Sequence, residues 1–371
     1  MQPTDDFQRE TYDMQYIRRF NDSILSVFRQ GFSSSLSDPR FAVFFLKTLL
    51  RQKLAARIRN RWEKRDVHAP PLLIASMTSR CNLHCKGCYA KIREKRTGRD
   101  LTTEAWTGII REAEELGVSI VMLAGGEPFL RPDLLDITGR FPKLVFPVFT
   151  NGLMLTDTLI SRMKTQKQVI PVVSMEGHET DTDARRGIGV FGRLQHVLEQ
   201  FRRQGLFFGI SVTVTKDNFD RVTDGAFVGR WFDTGCKLFF FIEYTPVAEG
   251  TARLILTDEQ RSKLRTIEAR LRPRFTGIFI VFPGDEEQYG GCLASGRGFV
   301  HVGPDGDLEP CPFAPYSDTN LKSVPLREAL CSPFLETIRK NHDRLSETRG
   351  GCSLWNQREW VQSLLQPEFK L

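Results

Sequence analysis

Three cysteines stand at x3 and x2 spacing in Cys81-Asn82-Leu83-His84-Cys85-Lys86-Gly87-Cys88-Tyr89. Thiolates are soft ligands that select iron–sulfur clusters or zinc. A cubane [4Fe–4S] cluster normally takes four thiolates, so three in one short loop leave one iron free for a ligand that is not protein. Structural zinc more often pairs its ligands as Cys-x2-Cys twice. A second set, Cys292, Cys311, Cys331 and Cys352, lies far downstream. The start of the chain, Met1-Gln2-Pro3-Thr4-Asp5-Asp6, is polar and acidic and carries no export signal. A cytoplasmic location is therefore expected, where cysteines read as metal ligands rather than disulfides. Cys236, in the turn Thr234-Gly235-Cys236-Lys237, reads instead as a small buried residue.

The elements that must hold these loops are legible in the hydrophobic pattern. From Pro70 onward, apolar runs alternate with amphipathic stretches. The strand candidates are 72–77, 118–123, 144–149, 169–174, 207–214 and 238–242. The helix candidates between them are 103–116, 132–140, 157–164, 191–204 and 217–232. Six such units predict an α/β fold with a parallel sheet and right-handed crossovers. Chemistry in barrels of this kind gathers at the carboxyl ends of the strands. Cys81–Cys88 follow the first strand, and Gly125-Gly126-Glu127-Pro128 follows the second. Thr150-Asn151-Gly152 follows the third, and Ser174-Met175-Glu176-Gly177 the fourth. Glu243-Tyr244 ends the sixth, which makes Glu243 a candidate acid–base or substrate group by position.

The cysteine loop with its trailing aromatic, followed one strand later by Gly-Gly-Glu, resembles the signature of the radical SAM superfamily. The resemblance covers roughly residues 70–371. It implies an open, partial (β/α)6 barrel of TIM type, spanning 67–283. It implies that Cys81, Cys85 and Cys88 hold a [4Fe–4S] cluster whose free iron chelates S-adenosylmethionine. It further implies cofactor contacts from Tyr89, Gly125, Gly126, Glu127, Asn151, Ser174 and Glu176. Arg185-Arg186-Gly187 is similar to the family's Arg-Gly element, through which Arg185 would reach a carboxylate; a solvated loop is the other reading.

After a connector, two short strands around Pro304-Asp305-Gly306-Asp307 predict a hairpin that brings Cys292 and Cys311 together. The segment resembles the start of the SPASM extension, or its shorter relative the twitch extension, over 284–371. A full SPASM extension carries more cysteines than remain here, so the resemblance implies one auxiliary [4Fe–4S] cluster. Cys352 follows Gly350-Gly351, a turn suited to wrapping metal. Cys331 precedes Ser332-Pro333, where a helix starts, and is the weakest ligand of the four.

Residues 1–66 lie outside the resemblance. They read as an amphipathic helix over 12–31 and a second over about 40–64, capped by Asp38 with Pro39 in its first turn. The second carries Phe44, Phe45, Leu49, Leu50, Leu54 and Ile58 on one side and basic residues on the other. Nine Lys or Arg and one acid lie between Arg40 and Arg65. These helices either pack on the barrel with a wet basic face, or present that face, residues 40–65, to a membrane surface or an acidic partner. The net charge of +7 over 371 residues does not by itself argue for nucleic acid, and none is expected as a partner.

The function implied is reductive cleavage of S-adenosylmethionine to a 5′-deoxyadenosyl radical, which abstracts hydrogen from an unactivated carbon. An external one-electron donor such as flavodoxin or ferredoxin would supply the electron. Relatives with this extension point to a ribosomally made peptide as substrate, ahead of a small metabolite or a lipid. No cobalamin-binding domain is recognisable. The non-catalytic alternative is an iron–sulfur electron-transfer protein. The Gly125–Glu127 and Ser174–Glu176 motifs argue against it, since a carrier needs no ligand pocket.

Overall fold

A computed structural model describes residues 5–36, 38–90, 99–283, 289–345 and 351–366. Two long helices come first, α1 (Asp5–Ser34) and α2 (Pro39–Glu63). Asp38 starts α2 by accepting the backbone N–H of Arg40, and proline fits where no intrahelical N–H is needed. Strands and helices then alternate: β1 (Leu72–Ser76), α3 (Thr103–Leu116), β2 (Ile120–Ala124), α4 (Leu134–Gly139), β3 (Phe146–Thr150), α5 (Asp157–Thr165) and β4 (Val169–Met175). They continue through α6 (Glu179–Arg186), α7 (Val190–Gln204), β5 (Gly209–Val214), α8 (Phe219–Thr223), α9 (Gly225–Asp233) and β6 (Leu238–Glu243). The stretch expected as one helix over 217–232 is two, because Asp224 is extended at φ −71° and ψ 142°. Two further short helices meet at Thr266, α10 (Asp258–Arg265) and α11 (Ile267–Leu271). Strand β7 (Ile278–Phe282), the hairpin β8 (Phe299–Val302) and β9 (Leu308–Glu309), and helices α12 (Leu326–Ala329) and α13 (Pro333–Lys340) follow.

The sheet runs β7-β6-β5-β4-β3-β2-β1-β8-β9. Every neighbouring pair is parallel except β8–β9. The six expected barrel strands lie in sequence order, and the sheet is longer than expected at both ends. The run 278–282 adds a seventh strand beside β6. The hairpin does not stand apart, since β8 pairs along the free edge of β1 from Leu72↔Phe299 to Ala75↔Val302. Across the gap of the curled sheet, the rings of Phe282 on β7 and Phe299 on β8 stand 5.7 Å apart.

Two apolar cores hold this arrangement. The larger lies between the sheet and its outer helices and contains Leu73, Val121, Ile110, Leu198 and Phe201. The smaller joins Ile24, Phe28, Phe41 and Phe45 to Val145, Phe207, Leu238 and Ile278. Those last four lie at or just before the amino ends of β3, β5, β6 and β7, so α1 and α2 plug that end of the barrel.

This plug corrects the expected helix face. The buried residues of α2 are Phe41, Phe45, Thr48, Gln52, Ala55 and Arg59, while Leu50 and Leu54 are exposed. At about 100° per residue, Phe45 and Leu50 cannot share a side. Two buried polar groups anchor the helix. Arg59 donates to Gly117 O at 2.6 Å, and burial lowers its guanidinium to about 10. Gln52 Oε1 accepts the Ser119 hydroxyl at 2.6 Å. A Cβ at Gly117, where φ is 90°, would lie 2.8 Å from Ala55 O, so glycine there lets helix and turn touch.

Candidate active site

Plugging one end leaves the carboxyl end of the barrel open as a cleft of about 220 Å³. Cys81, Cys85 and Cys88 line it, together with Gly125, Gly126, Glu127, Asn151, Ser174, Arg185 and Glu243. The cysteine loop is pinned at its start, where Asp100 accepts Ser79 N–H at 3.0 Å and the Thr78 hydroxyl at 2.5 Å. Burial pushes the Cys81 and Cys85 thiols up, and Arg186 and Arg185 pull Cys85 back.

The motif after β2 is fitted to this loop. Gly126 N–H donates to Thr78 O and Glu127 N–H to Arg80 O, both at 2.8 Å. A Cβ on Gly126 would lie 1.9 Å from Arg80 O, so only glycine permits this contact. These glycines thus let the β2 turn approach the cysteine loop closely. Glu127, 1% exposed, accepts three donors. Its Oε1 takes Phe129 N–H at 3.1 Å and the Thr150 hydroxyl at 2.7 Å. Its Oε2 takes Asn151 N–H at 2.7 Å. Burial raises its carboxyl above the usual range, and these bonds recover part of that cost. Asn151 then reaches back, its amide donating to Asn82 Oδ1 at 2.7 Å and standing 3.8 Å from Cys81 Sγ.

On the other side, α6 ends against the same loop. Lys86 and Arg185 exchange bonds of 3.0 Å: Lys86 N–H to Arg185 O, and Arg185 Nε to Lys86 O. Arg185 and Arg186 each meet Glu176 Oε1 at 2.6 Å. Burial pulls the Arg185 guanidinium down, and Glu176 outweighs it, so the net shift is upward. The other oxygen, Glu176 Oε2, is buried without a partner. The Ser211 hydroxyl donates to Ser174 at 3.0 Å. Glu243 is 3% exposed and bound by Arg261 at 2.8 and 3.1 Å. Tyr89 packs its ring 5.5 Å from that of Phe313.

The second cysteine set separates into three and one. Cys292, Cys311 and Cys352 are buried and line one small pocket with Phe282, Pro283, Phe299, Phe313, Gly351 and Ser353; Gly350 lies outside the described residues. Burial and the neighbouring cysteines push the Cys311 thiol up, while the hydrogen bond from Cys311 lowers Cys352. Cys331 is not brought to them. It follows α12 at the surface, its Sγ 3.9 Å from Asp66 O. Ser332 caps α13 through Leu335 N–H at 3.2 Å. The helix start therefore holds Cys331 on the far side of α13's own cap. Among the described residues, no three His, Cys, Asp or Glu side chains converge tightly enough for a single metal ion.

Several partners were not foreseen. Buried Ser76, His301 and Glu309 form a chain, with Ser76 Oγ 2.8 Å from His301 Nε2 and His301 Nδ1 2.7 Å from Glu309 Oε2. It ties β1, just before the first cysteine loop, to β9, just before Cys311. The hairpin register, His301↔Glu309, was the available signal. Tyr244 is 2% exposed, lines the cleft over Gly87, and its hydroxyl has no partner. Only its position after the sixth strand pointed to it.

An open parallel barrel with three thiols at the carboxyl end of its first strand defines a class of cluster-dependent enzymes. Residues 75–224 match the family model described as "Radical SAM superfamily". The chain therefore carries a radical SAM domain and is a radical SAM enzyme, and that domain implies S-adenosylmethionine and a [4Fe–4S] cluster. It is similar to the AdoMet-dependent heme synthase of Methanosarcina barkeri, 27% identical over 77% of this chain and 88% of that protein. It is also similar to the PqqA peptide cyclase of Streptomyces rochei, 29% identical over 73% of this chain and 76% of that protein. Among solved structures, Streptococcus suis SuiB bound to S-adenosylmethionine superimposes with a TM-score of 0.63 at 18% identity. That match covers 80% of this chain and 73% of SuiB, and it speaks to the fold alone. No helix among the described residues is long and apolar enough to cross a membrane.

Proposed function

We propose that this radical SAM enzyme modifies a ribosomally made peptide, with one auxiliary [4Fe–4S] cluster held by Cys292, Cys311 and Cys352. The observation that carries the reading is a shared wall. Phe282 and Phe313 line both the cleft of the first cysteine set and the pocket of the second. A substrate in the cleft would therefore lie between two sets of three thiols. The donor chemistry fits: soft thiols at both sites, and buried polar atoms without partners, Glu176 Oε2 and the Tyr244 hydroxyl, facing or flanking the cleft.

In this reading Cys81, Cys85 and Cys88 hold the first cluster. Gly125, Gly126 and Glu127 fix the β2 turn against that loop, and Asn151 holds its first cysteine from the side. Ser174 and Arg185 line the wall that would meet the polar parts of S-adenosylmethionine, and Glu176 stands behind it, holding Arg185 in place. When bound, cluster and cofactor supply a 5′-deoxyadenosyl radical; the chain orients the groups and excludes water. Glu243, held by Arg261, contributes a fixed carboxylate to the floor between the two sites. An external flavodoxin or ferredoxin would supply the electron. Residues 1–66 act as the plug, 67–283 as the barrel and 284–371 as the auxiliary-cluster extension.

PqqA peptide cyclases and mycofactocin maturases recur among the relatives, which supports a peptide. A tetrapyrrole is the second reading, favoured by the coverage of the heme synthase. Anaerobic protein with dithionite and S-adenosylmethionine should form 5′-deoxyadenosine. Mass spectrometry of peptides encoded beside the gene should then find one that changes mass. Turnover of a tetrapyrrole with all such peptides unchanged would replace the first reading by the second.

A further inference from the structure

The outer face of α2 is unlike the rest of the surface. Val43, Leu46, Leu50 and Leu54 are 50%, 51%, 59% and 55% exposed, and Leu36 just before the helix is 64% exposed. Elsewhere among the described residues, only Ile188 is a comparably exposed large apolar side chain. Scattered single cases are ordinary, whereas a continuous stripe marks an interaction surface. At about 100° per residue these four side chains span less than a quarter of the helix circumference. They lie opposite the buried Phe41, Phe45, Gln52 and Arg59. Lys47 and Lys53 flank the stripe, and Arg57 and Arg61 continue it by one turn; all four are exposed. No carboxylate among the described residues pairs with any of them. From Pro39 to Trp62 the helix contains no Asp or Glu.

We propose that this face docks the enzyme on an anionic membrane surface, with the leucines in the acyl boundary and the basic residues among acidic headgroups. Leucines centred on a helix and bordered by unpaired Lys and Arg are the composition that lies in the plane of such an interface. Charge complementarity selects the acidic bilayer, since the stripe offers no counter-charge to a mixed protein surface. The plug geometry sets the orientation. The inner face of α2 packs on the amino ends of the strands, so docking turns the cleft at the carboxyl ends away from the bilayer. The substrate then arrives from the aqueous side. This inference stands independently of the peptide reading.

The test uses the full chain and vesicles of phosphatidylcholine with or without phosphatidylglycerol. Wild type should sediment with the anionic vesicles and be released by high salt, because exposed charges are screened. Lys47→Glu/Lys53→Glu/Arg57→Glu should lose binding roughly a hundredfold or more, at about fivefold per basic residue near an anionic surface. Leu46→Ser/Leu50→Ser/Leu54→Ser should lose at least about tenfold, from the apolar area withdrawn from lipid. Both variants should melt like wild type and form 5′-deoxyadenosine at the same rate, which separates docking from folding. Absence of sedimentation at low salt would overturn the proposal. So would leucine variants that bind undiminished, or a wild-type dimer that the leucine variant dissociates, which would make the stripe an interface between copies.

Discussion

Replacing Glu127 by glutamine asks whether this residue is first a hub of the fold and only then a cofactor contact. Its two carboxylate oxygens accept three donors, Phe129 N–H, the Thr150 hydroxyl and Asn151 N–H. A glutamine offers one oxygen and one amide group. If its oxygen takes the Oε1 position, two bonds survive in weaker, uncharged form and the amide faces Asn151 N–H. The opposite flip sets the amide against Phe129 N–H. Either way at least one charge-assisted bond goes, worth ~1.5–3 kcal/mol, and the total loss comes to about 2–4 kcal/mol. For 371 residues the unfolding entropy scales to about 0.8 kcal/mol per kelvin, so Tm should fall by roughly 3–5 °C. Differential scanning calorimetry on the cluster-loaded enzyme reads that shift, and titration calorimetry reads S-adenosylmethionine affinity on the same sample. Glu127→Ala, which removes all three bonds, should fall further. An unchanged Tm in both variants, with cofactor binding abolished, would refute the hub argument and leave Glu127 as a ligand contact alone.

Glu176→Gln should destabilise the fold by about 3 kcal/mol in chemical denaturation, because it leaves the largely but not fully enclosed Arg185 and Arg186 beside a neutral group. Iron counting and Mössbauer spectra should find the second cluster lost in Cys292→Ala, Cys311→Ala and Cys352→Ala and kept in Cys331→Ala, whose thiol lies at the surface. Tyr244→Phe should melt at or slightly above the wild-type temperature, since it deletes a buried hydroxyl without a partner; product formation should fall, and unaltered turnover would remove Tyr244 from the site. The last concerns pH. Burial raises the folded value of Glu127 above 4.5, so in the window above 4.5 the native state holds a proton that the unfolded chain releases. The stability margin of wild type over Glu127→Gln should therefore shrink as pH rises through that window, as denaturation midpoints at several pH values would register.

The barrel was readable because each strand is a short apolar run followed by an amphipathic helix, and because Thr102 and Gly117 mark the ends of α3 plainly. The cysteine spacing and Gly125–Glu127 could be located on strand ends for the same reason. What escaped reading depends on three-dimensional partners. Leu50 and Leu54 resemble core residues in any one-dimensional pattern, and only the barrel mouth, by accepting Phe41 and Phe45, decides that they face outward. Periodicity gives the width of a face but not which of two apolar faces is inside. Cys331 looked like a fourth ligand by count, but it is held at the surface by the cap of the helix it precedes. The tight contacts of Gly126 with Arg80 O and of Gly125 with Thr78 O are with backbone atoms whose positions no local pattern encodes.

The pairing of β8 with β1 also constrains how the molecule is made. Ser76 and His301 are joined although 225 residues separate them. Synthesis from the amino terminus delivers the first cysteine loop and seven strands before β8 exists. Through that interval the outer edge of β1 carries unpaired backbone groups, the kind of edge that recruits stray strands. Closure of a contact so distant in sequence is also slow. The nascent chain thus has a period in which Cys81–Cys88 are accessible to iron delivery while the wall beside them is incomplete. A ribosome-stalled chain ending before residue 299 should accept iron at the first loop and remain prone to association, until the last part of the polypeptide arrives to cover the strand that was made first.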